Sequence, residues 1–164
     1  MRLDLRNLRK EIIPILKKKI EPIEHLISFR EYIQDDKEIF LHIYNRSFLV
    51  SPDPFRSVSL DDLEDLKLDI FLIKLYGKET GEISIDTEIR DDEKIGIITS
   101  LAVLPEKRRM GLGSALALKA YEFLKENNIN IVECKVGEEN KPSYSFIKFI
   151  GFKKYDEESV ELKS

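Results

Sequence analysis

The sequence has few of the residues that build disulfides, metal sites or membrane spans. Its one cysteine, Cys134, excludes an internal disulfide, and its two histidines have no ligand partners at metal spacing. No stretch approaches the ~18 uncharged apolar residues of a membrane span. The charged N-terminus lacks the apolar run of a signal peptide. We therefore expect a cytoplasmic protein that needs no metal and has no membrane partner.

The chain also lacks a large excess of charge of either sign. Its 27 basic and 31 acidic residues give a formal net charge of -4, which argues against a nucleic-acid binder. No G-x-S-x-G segment is present, which argues against a serine hydrolase. What the chain does have is 164 residues, of which 42% are hydrophobic. This size and composition suit one folded domain with a sizeable core.

The first 24 residues differ in charge from the rest of the chain. Residues 1–30 contain eight lysines or arginines and four acids. Pro14 is expected to end or kink a helix that runs over residues 5–13. We therefore predict a basic extension over residues 1–24, solvated and loosely packed, and a main domain over residues 25–164. The alternative for the extension is a contact with a partner or with an acidic substrate.

From His25 onward the apolar pattern becomes regular and predicts the order β-α-α-β-β-β-α-β-α-β. Strands are predicted over residues 25–33, 69–77, 82–90, 95–104, 128–136 and 152–162. Helices are predicted over residues 36–48, 59–67, 111–127 and 142–149. We therefore expect a single α/β (α+β) unit.

A basic loop and two glycines connect a long apolar strand to the third of these helices. The loop contains Lys107, Arg108 and Arg109, and Gly111 and Gly113 follow. Glycine lets the backbone approach a ligand, and the free amides and dipole of a helix N-terminus attract an anion. The two arginine side chains add positive charge. The stretch fits neither the P-loop nor the dinucleotide G-x-G-x-x-G pattern.

Two sequence blocks resemble those of the GNAT superfamily of N-acetyltransferases. The first is RRMGLG at residues 108–113, which matches R-x-x-G-x-G directly after L-A-V-x-P. The second is NKPSYSFIKFIGF at residues 140–152, in which Asn140, Gly151 and Phe152 match and Ser143 replaces a small alanine. The resemblance covers roughly residues 25–160.

The resemblance implies a mixed, mostly antiparallel sheet with helices on both faces, in which two strands splay apart to admit acetyl-CoA. It implies that Leu101, Ala102 and Val103 lie along the pantetheine arm and pair with it as with an added strand. Asn140 would contact this arm through its side chain. Loop amides would bind the pyrophosphate, from Arg108, Arg109, Met110, Gly111, Leu112, Gly113 and Ser114.

The general acid of many relatives is absent from its usual position. These relatives carry a tyrosine seven residues after the asparagine, where this chain has Ile147. Tyr144 lies three residues earlier, about 60° around the helix, and is the candidate acid for the leaving thiolate. Packing or a contact with the cofactor is the alternative role for Tyr144.

The usual general base is also absent, because Thr99 stands where many relatives have a glutamate. Glu82 on the neighbouring strand is the best remaining carboxylate and is predicted to act through a water molecule. Glu88 and Glu133 are less favoured alternatives. The ordinary reading of a strand carboxylate is a solvated side chain without a catalytic role.

A weak base favours an acceptor amine that is easily deprotonated. At pH 7 this step costs roughly 4.6 kcal/mol for a lysine-like amine and roughly 1 to 1.4 kcal/mol for a protein α-amine. Residues 51–70 contain six acids and two basic residues, which predicts either a rim that attracts a cationic amine or an ordinary solvated helix.

We therefore predict an acetyl-CoA-dependent N-acetyltransferase that acts by direct attack of a primary amine, either a peptide N-terminus or a small amine. A backbone amide near Val103 would stabilise the oxyanion. Three alternatives stay open: an acyl-CoA-binding module without catalysis, a regulatory domain that binds a partner through residues 1–24, and an enzyme for another acyl group. A monomer and a homodimer are both compatible with the sequence.

Overall fold

The computed structural model describes residues 1–49, 68–136 and 139–155. Within these ranges the strands are β1 (Arg2–Asp4), β2 (Ile27–Glu31), β3 (Asp69–Leu75), β4 (Lys78–Arg90), β5 (Glu93–Val103) and β6 (Ile131–Cys134). The α-helices are α1 (Ile12–Ile20), α2 (Lys37–Leu49), α3 (Leu112–Glu126) and α4 (Lys141–Ile150). Short 3-10 turns lie at Leu5–Asn7, Glu21–Leu26, Gln34–Asp36 and Pro105–Lys107.

The six strands form one sheet in the order β1-β6-β5-β4-β3-β2. Neighbouring strands are antiparallel except for β5 and β6, which are parallel. The long helix α3 connects this parallel pair, as a crossover between parallel strands requires. The predicted mixed, mostly antiparallel sheet is confirmed.

Helices cover both faces of the sheet because its central strands are apolar on both sides. Leu72 of β3 is fully buried in a cluster with Ile43 of α2. Its neighbours Phe71 and Ile73 point to the opposite face, where they join a larger cluster that contains Leu116 of α3. The larger cluster also contains Ile20 of α1, so α1 and α3 share one face and α2 lies on the other.

The N-terminal segment is packed into the domain, and the loose packing predicted for residues 1–24 is wrong. Strand β1 is hydrogen-bonded to β6, and α1 buries Ile12, Leu16 and Ile20. The predicted effect of Pro14 is also wrong, because α1 begins at Ile12 and places this proline in its first turn. Amides of a first turn have no intrahelical partner, so proline is tolerated there.

Two contacts attach this segment to α4. The Arg9 guanidinium donates to the Phe149 carbonyl at 2.7 Å, and its central carbon lies 5.9 Å from the centre of the Phe149 ring. The Lys19 ammonium lies 5.1 Å from the centre of the same ring. The segment before residue 21 therefore contacts both α3 and α4, the two helices that follow the basic loop.

Some predicted elements lie outside the described residues. These are the helix over residues 59–67 and most of the last strand, of which only an isolated bridge between Lys153 and Arg2 is described. The acidic segment is also outside, apart from residues 68–70. In the described part of the chain, no helix has both the length and the apolar character to cross a membrane.

The packing of α1 can be tested at Ile20, which is 7% exposed and belongs to the main core cluster. We expect Ile20→Ala to lower the free energy of unfolding by about 2–5 kcal/mol, the usual cost of such a truncation in a core. The measurement is urea unfolding followed by circular dichroism. Lys18→Ala, an exposed change on the same helix, is the control and should stay within about 0.5 kcal/mol of the parent. Equal, small effects of the two changes would contradict the packing described above.

Candidate active site

The cleft begins where β5 and β6 stop pairing. Their parallel ladder ends where Ile98 pairs with Cys134, and Cys134 is also the last residue of β6. Strand β5 continues for five more residues to Val103, paired on its other edge with β4. The predicted splay is therefore confirmed, and one edge of β5 stays open from Thr99 to Val103 among the described strands.

The backbone of β5 presents polar groups to this open edge. The Leu104 amide donates to the Thr80 carbonyl at 2.8 Å, so it points toward the loop before β4. Because backbone groups alternate along a strand, the N–H and C=O groups of Ala102 point toward β4. Those of Leu101 and Val103 point toward the open edge. The Val103 carbonyl already accepts hydrogen bonds from Ser47 and Arg108, so the backbone groups of Leu101 and the Val103 amide are the ones that an added strand or an extended ligand would use.

A β-bulge lies at the start of the open edge. Ser100 pairs with Ser84 and Ile98 pairs with Ile85, so Thr99 is an extra residue in β5. The Thr99 hydroxyl donates to the Ser84 carbonyl at 3.2 Å. A bulge bends its strand and increases the local twist, which turns β5 away from β6 at this point.

The loop after β5 presents free amides at the start of α3. The first hydrogen bond of the helix joins the Ala115 amide to the Gly111 carbonyl at 3.0 Å. The amides of Leu112, Gly113 and Ser114 therefore have no intrahelical partner. The side chains of Leu112 and Ser114 are buried, whereas Arg109 and Met110 are exposed. Free amides and an exposed guanidinium thus lie within one short loop, as an anion site requires.

The two loop glycines have different constraints. Gly111 has a φ of +97°, and a Cβ atom there would lie 2.8 Å from the Lys19 carbonyl oxygen of α1. Both facts require glycine at this position. Gly113 has no atom within 4 Å of the position of a Cβ, so it faces open space beside the free amides.

Arg108 does not point toward the anion site. Its guanidinium donates to the Ser47 carbonyl at 2.9 Å and to the Val103 carbonyl at 3.3 Å, and the Ser47 hydroxyl donates to the same Val103 oxygen at 2.9 Å. The Arg108 amide donates to the Pro105 carbonyl at 3.4 Å. The role of the two arginine side chains at the anion site stays a prediction, and in this structure Arg108 is hydrogen-bonded to carbonyls. Arg108 attaches the last turn of α2 to the end of β5, whereas Arg109, which is also exposed, makes no hydrogen bond or ion pair among the described residues.

A cavity of about 230 Å³ opens beside the splay. It is lined by the open part of β5, by α3 and α4, and by the N-terminal segment. Asn140 lies on its wall, next to Ser143 and Ile147 of α4. Tyr144 is not among its described lining residues, and the Lys148 ammonium lies 5.5 Å from the centre of the Tyr144 ring.

Glu82 lies inside the protein, on the face of the sheet that carries α2. It is 0% exposed, and its two carboxylate oxygens accept hydrogen bonds from the hydroxyls of Ser84 at 2.7 Å and Ser100 at 2.8 Å. Ser100 also lines the cavity. The reading of Glu82 as a solvated carboxylate is therefore wrong, and one hydroxyl connects its carboxylate to the cleft.

Burial raises the pKa of Glu82 to about 7, and the hydrogen bonds from Ser84 and Ser100 partly oppose this rise. The cause is the cost of removing a carboxylate from water. Glu82 can therefore hold or release a proton close to neutral pH, which is the property of a general base.

The alternative carboxylates are engaged elsewhere. Arg90 donates to Glu88 at 2.8 Å and to Glu133 at 2.9 Å. Neither glutamate belongs to the described lining of the cavity. No group of three or more histidine, cysteine, aspartate or glutamate side chains in the described ranges is arranged to hold a metal ion.

Sequence reasoning missed the two serines and the N-terminal wall of the cavity. Glu82 and Ser84 share one face of β4 by alternation, so their contact could have been found from their spacing of two residues. Ser100 lies on another strand, and its contact depends on the register of β4 and β5. The wall of Leu5, Leu8 and Ile12 depends on where α1 docks, which local sequence does not encode.

The buried carboxyl predicts a pH-dependent stability. The folded protein holds the Glu82 proton up to a pH of about 7, whereas the unfolded chain releases it near 4.5. The folded state therefore binds more protons between these values, and the free energy of unfolding falls as the pH rises. Relative to Glu82→Gln, which does not titrate, the parent protein should lose about 2–3 kcal/mol between about pH 5 and about pH 8.

Urea unfolding at several pH values measures this difference. Glu88→Gln, at a half-exposed carboxylate of the same strand, is the control and should follow the parent curve. If the curves of the parent and Glu82→Gln ran parallel across this range, the raised pKa would be contradicted.

The sequence is similar to known acetyltransferases. A model of the acetyltransferase (GNAT) family matches residues 37–152. An uncharacterized N-acetyltransferase of Methanocaldococcus jannaschii is 29% identical over an alignment that covers 89% of this chain and 79% of that protein.

The fold is similar to those of solved acetyltransferases. The PaiA N-acetyltransferase of Thermoplasma acidophilum in complex with coenzyme A gives a TM-score of 0.67 at 19% identity, over 79% of this chain and 91% of that chain. An aminoglycoside acetyltransferase from an uncultured soil metagenomic sample, in complex with sisomicin, gives a TM-score of 0.67 at 15% identity, over 82% of this chain and 93% of that chain. These likenesses agree with the sheet order and the splay described above. Since the family model spans most of the chain, the protein belongs to the acetyltransferase (GNAT) family.

Proposed function

We propose that this protein transfers the acetyl group of acetyl-CoA to a primary amine, in the cytoplasm and without a metal. The observation that carries the proposal is the open edge of β5 between Thr99 and Val103, which leads directly to the free amides of Leu112 to Ser114. An extended arm that ends in a diphosphate matches this sequence of groups. A relative of the same fold is described as a complex with coenzyme A.

In this proposal the pantetheine arm pairs with the backbone of Leu101 and with the Val103 amide, alongside Ala102, because the Val103 carbonyl is already occupied. The diphosphate accepts hydrogen bonds from the loop amides between Arg109 and Ser114, and Arg109 adds its charge. The Arg108 amide is a weaker candidate because it already donates within the turn at Pro105. Asn140, on the cavity wall, contacts the arm through its side chain.

The proposed reaction is a direct attack. The neutral amine nitrogen forms a bond to the thioester carbonyl carbon, and the amide of Leu101, the neighbour of Val103 on the open edge, donates to the oxygen that becomes negative. Collapse of this intermediate breaks the bond between carbon and sulfur, and CoA leaves as a thiolate. Tyr144 stays the candidate acid for the thiolate, although a thiol with a pKa of about 8.5 leaves readily without that proton.

The proton of the attacking amine reaches Glu82 through Ser100. Ser100 is a lining residue of the cavity, and its hydroxyl donates to the Glu82 carboxylate at 2.8 Å. It can therefore accept a proton from the amine while it passes its own to Glu82. This route replaces the water molecule that the sequence alone suggests.

A base with a pKa of about 7 suits an acceptor whose amine is only weakly basic. A protein α-amine, with a pKa of about 7.7 to 8.0, is closer to this value than a lysine side chain at about 10.4. We therefore propose a peptide N-terminus or a small α-amine as the acceptor.

Binding of acetyl-CoA can be measured by calorimetry on the parent protein and on Gly113→Leu. The new side chain has open space in the free protein and improves the helix, so the fold should be retained. It would occupy the place of the diphosphate, so we expect the affinity to fall by at least ~10-fold, the equivalent of about 1.4 kcal/mol. Glu122→Leu, an exposed change on the same helix, is the control and should bind normally. Equal affinity in all three proteins would overturn the proposed site.

The proton route can be tested by the pH dependence of kcat/KM, with a panel that contains free-N-terminus peptides, amino acids and N-blocked lysine peptides. The parent should gain activity as the pH rises through about 7, because Glu82 must be ionised. Glu82→Gln and Ser100→Ala should lose this step and at least ~10²-fold in rate.

Ser84→Ala is the matched control for this route, because Ser84 donates to the same carboxylate but is not part of the described cavity lining. It should keep most of the rate. Binding of acetyl-CoA without turnover of any amine would favour the non-catalytic module, and retention of the pH step in Ser100→Ala would contradict the proposed route.

A further inference from the structure

The cavity beside the splay is deeper than the proposed cofactor arm requires. At its near end lie Thr99, Ser100 and Leu101, where the thioester would be placed. It also reaches Val132, which pairs with Gly96, two residue pairs before the splay begins. At about 3.3 Å per residue, Val132 lies roughly 7 Å from the start of the splay, beside the part of the sheet in which β5 and β6 are still paired. The open edge of β5 lies in the other direction, so the pantetheine arm leaves this depth unused.

The deep part of the cavity is apolar. The N-terminal segment contributes only aliphatic side chains to it, and α3 adds two alanines, a tyrosine and Leu124. The aliphatic side chains of the N-terminal segment are Leu3, Leu5, Leu8, Ile12, Ile13 and Leu16. No buried side-chain nitrogen or oxygen atom in the described residues lacks a hydrogen-bond partner. Such a cavity stays dry and favours an apolar ligand over a polar one.

The N-terminal part of this wall is a feature of this chain that the family match does not include. The family model matches residues 37–152, and α1 precedes that range. The wall is held in place by the contacts of Arg9 and Lys19 with Phe149 and by the approach of Lys19 to Gly111. The segment therefore closes the cleft between α3 and α4 on the side away from α2.

We propose, on the basis of the proposed cofactor site, that the cleft accepts straight acyl chains longer than acetyl and that the N-terminal segment forms the end of their pocket. The acyl group is the apolar group that a bound acyl-CoA would bring to Thr99 and Ser100. The cavity is continuous from these residues to Ile12 and Leu124. The bond that forms and the bond that breaks are those of acetyl transfer, so no further reactant is needed.

The test is calorimetry with acetyl-CoA, butyryl-CoA and hexanoyl-CoA in the absence of an amine. Each methylene buried in the pocket should raise the affinity about fourfold. We therefore expect hexanoyl-CoA to bind at least ~10-fold more tightly than acetyl-CoA, even if only two of its extra methylenes are fully buried. An affinity that does not change with chain length would overturn the proposal.

Substitutions in the N-terminal segment test whether it forms the end of the pocket. Ile13→Phe and Leu8→Phe enlarge half-buried side chains of the wall and should reduce the hexanoyl-to-acetyl affinity ratio toward one. Lys17→Phe places the same ring on the exposed side of α1 and should leave this ratio unchanged. If the ratio stayed high in both wall variants, the N-terminal segment would not form the pocket. If no thioester bound at all, the proposed function itself would fail, which is a different result from equal binding of all three.

Discussion

The early end of pairing between β5 and β6 is the constraint on which the cleft depends. A strand inside a sheet has its polar backbone groups occupied on both edges, and beyond Ile98 β5 is paired with a strand on one edge alone, among the strands that the structure describes. The bulge at Thr99 turns β5 away, and the parallel crossover through α3 brings the chain back to β6 on the other side of the gap. The loop amides at Gly113 then lie at the end of the open edge. One local irregularity thus joins a strand-like site and an anion site.

Much of this arrangement could be predicted from the sequence, because its signals are local. The alternation of β4 and β5, the glycines of the loop and the asparagine before α4 each lie within a short segment. The packing of residues 1–24 could not be predicted in the same way. Pro14 was expected to break a helix, and only the true start of α1 at Ile12 makes the proline harmless. The burial of α1 depends on α3 and α4, which lie more than 90 residues later.

Glu82 shows where the prediction of the site reached its limit. The sequence made this carboxylate a candidate base and predicted a water molecule as its link to the substrate. The actual neighbours are Ser84, two residues away on the same strand, and Ser100, which the sheet register brings across from β5. Complete burial then gives this carboxyl its raised pKa, and burial is a property of the packed core that includes α2.

Arg108 and Arg109 show how adjacent residues of one type acquire different tasks. Arg109 has a φ of +64°, so the chain reverses direction between the two side chains. Arg108 binds carbonyls of Ser47 and Val103, and Arg109 faces solvent beside the amides. The hydrogen bonds of Arg108 also hold the loop in position. The loop that would bind the diphosphate is attached through Arg108 to the last turn of α2, on the face of the sheet that carries Glu82.

The N-terminal segment makes the stability of the fold and the shape of the cleft depend on the same contacts. Lys19 of α1 fixes the backbone at Gly111, and Arg9 holds α4 through Phe149. The loop before α3 and the helix that follows the asparagine are therefore positioned by one element. Any change that loosens α1 should disturb the anion site and the cavity together, because both use α1 as a wall. A purely catalytic change at Ser100 should leave that framework intact, so the two kinds of defect can be separated by stability measurements alone.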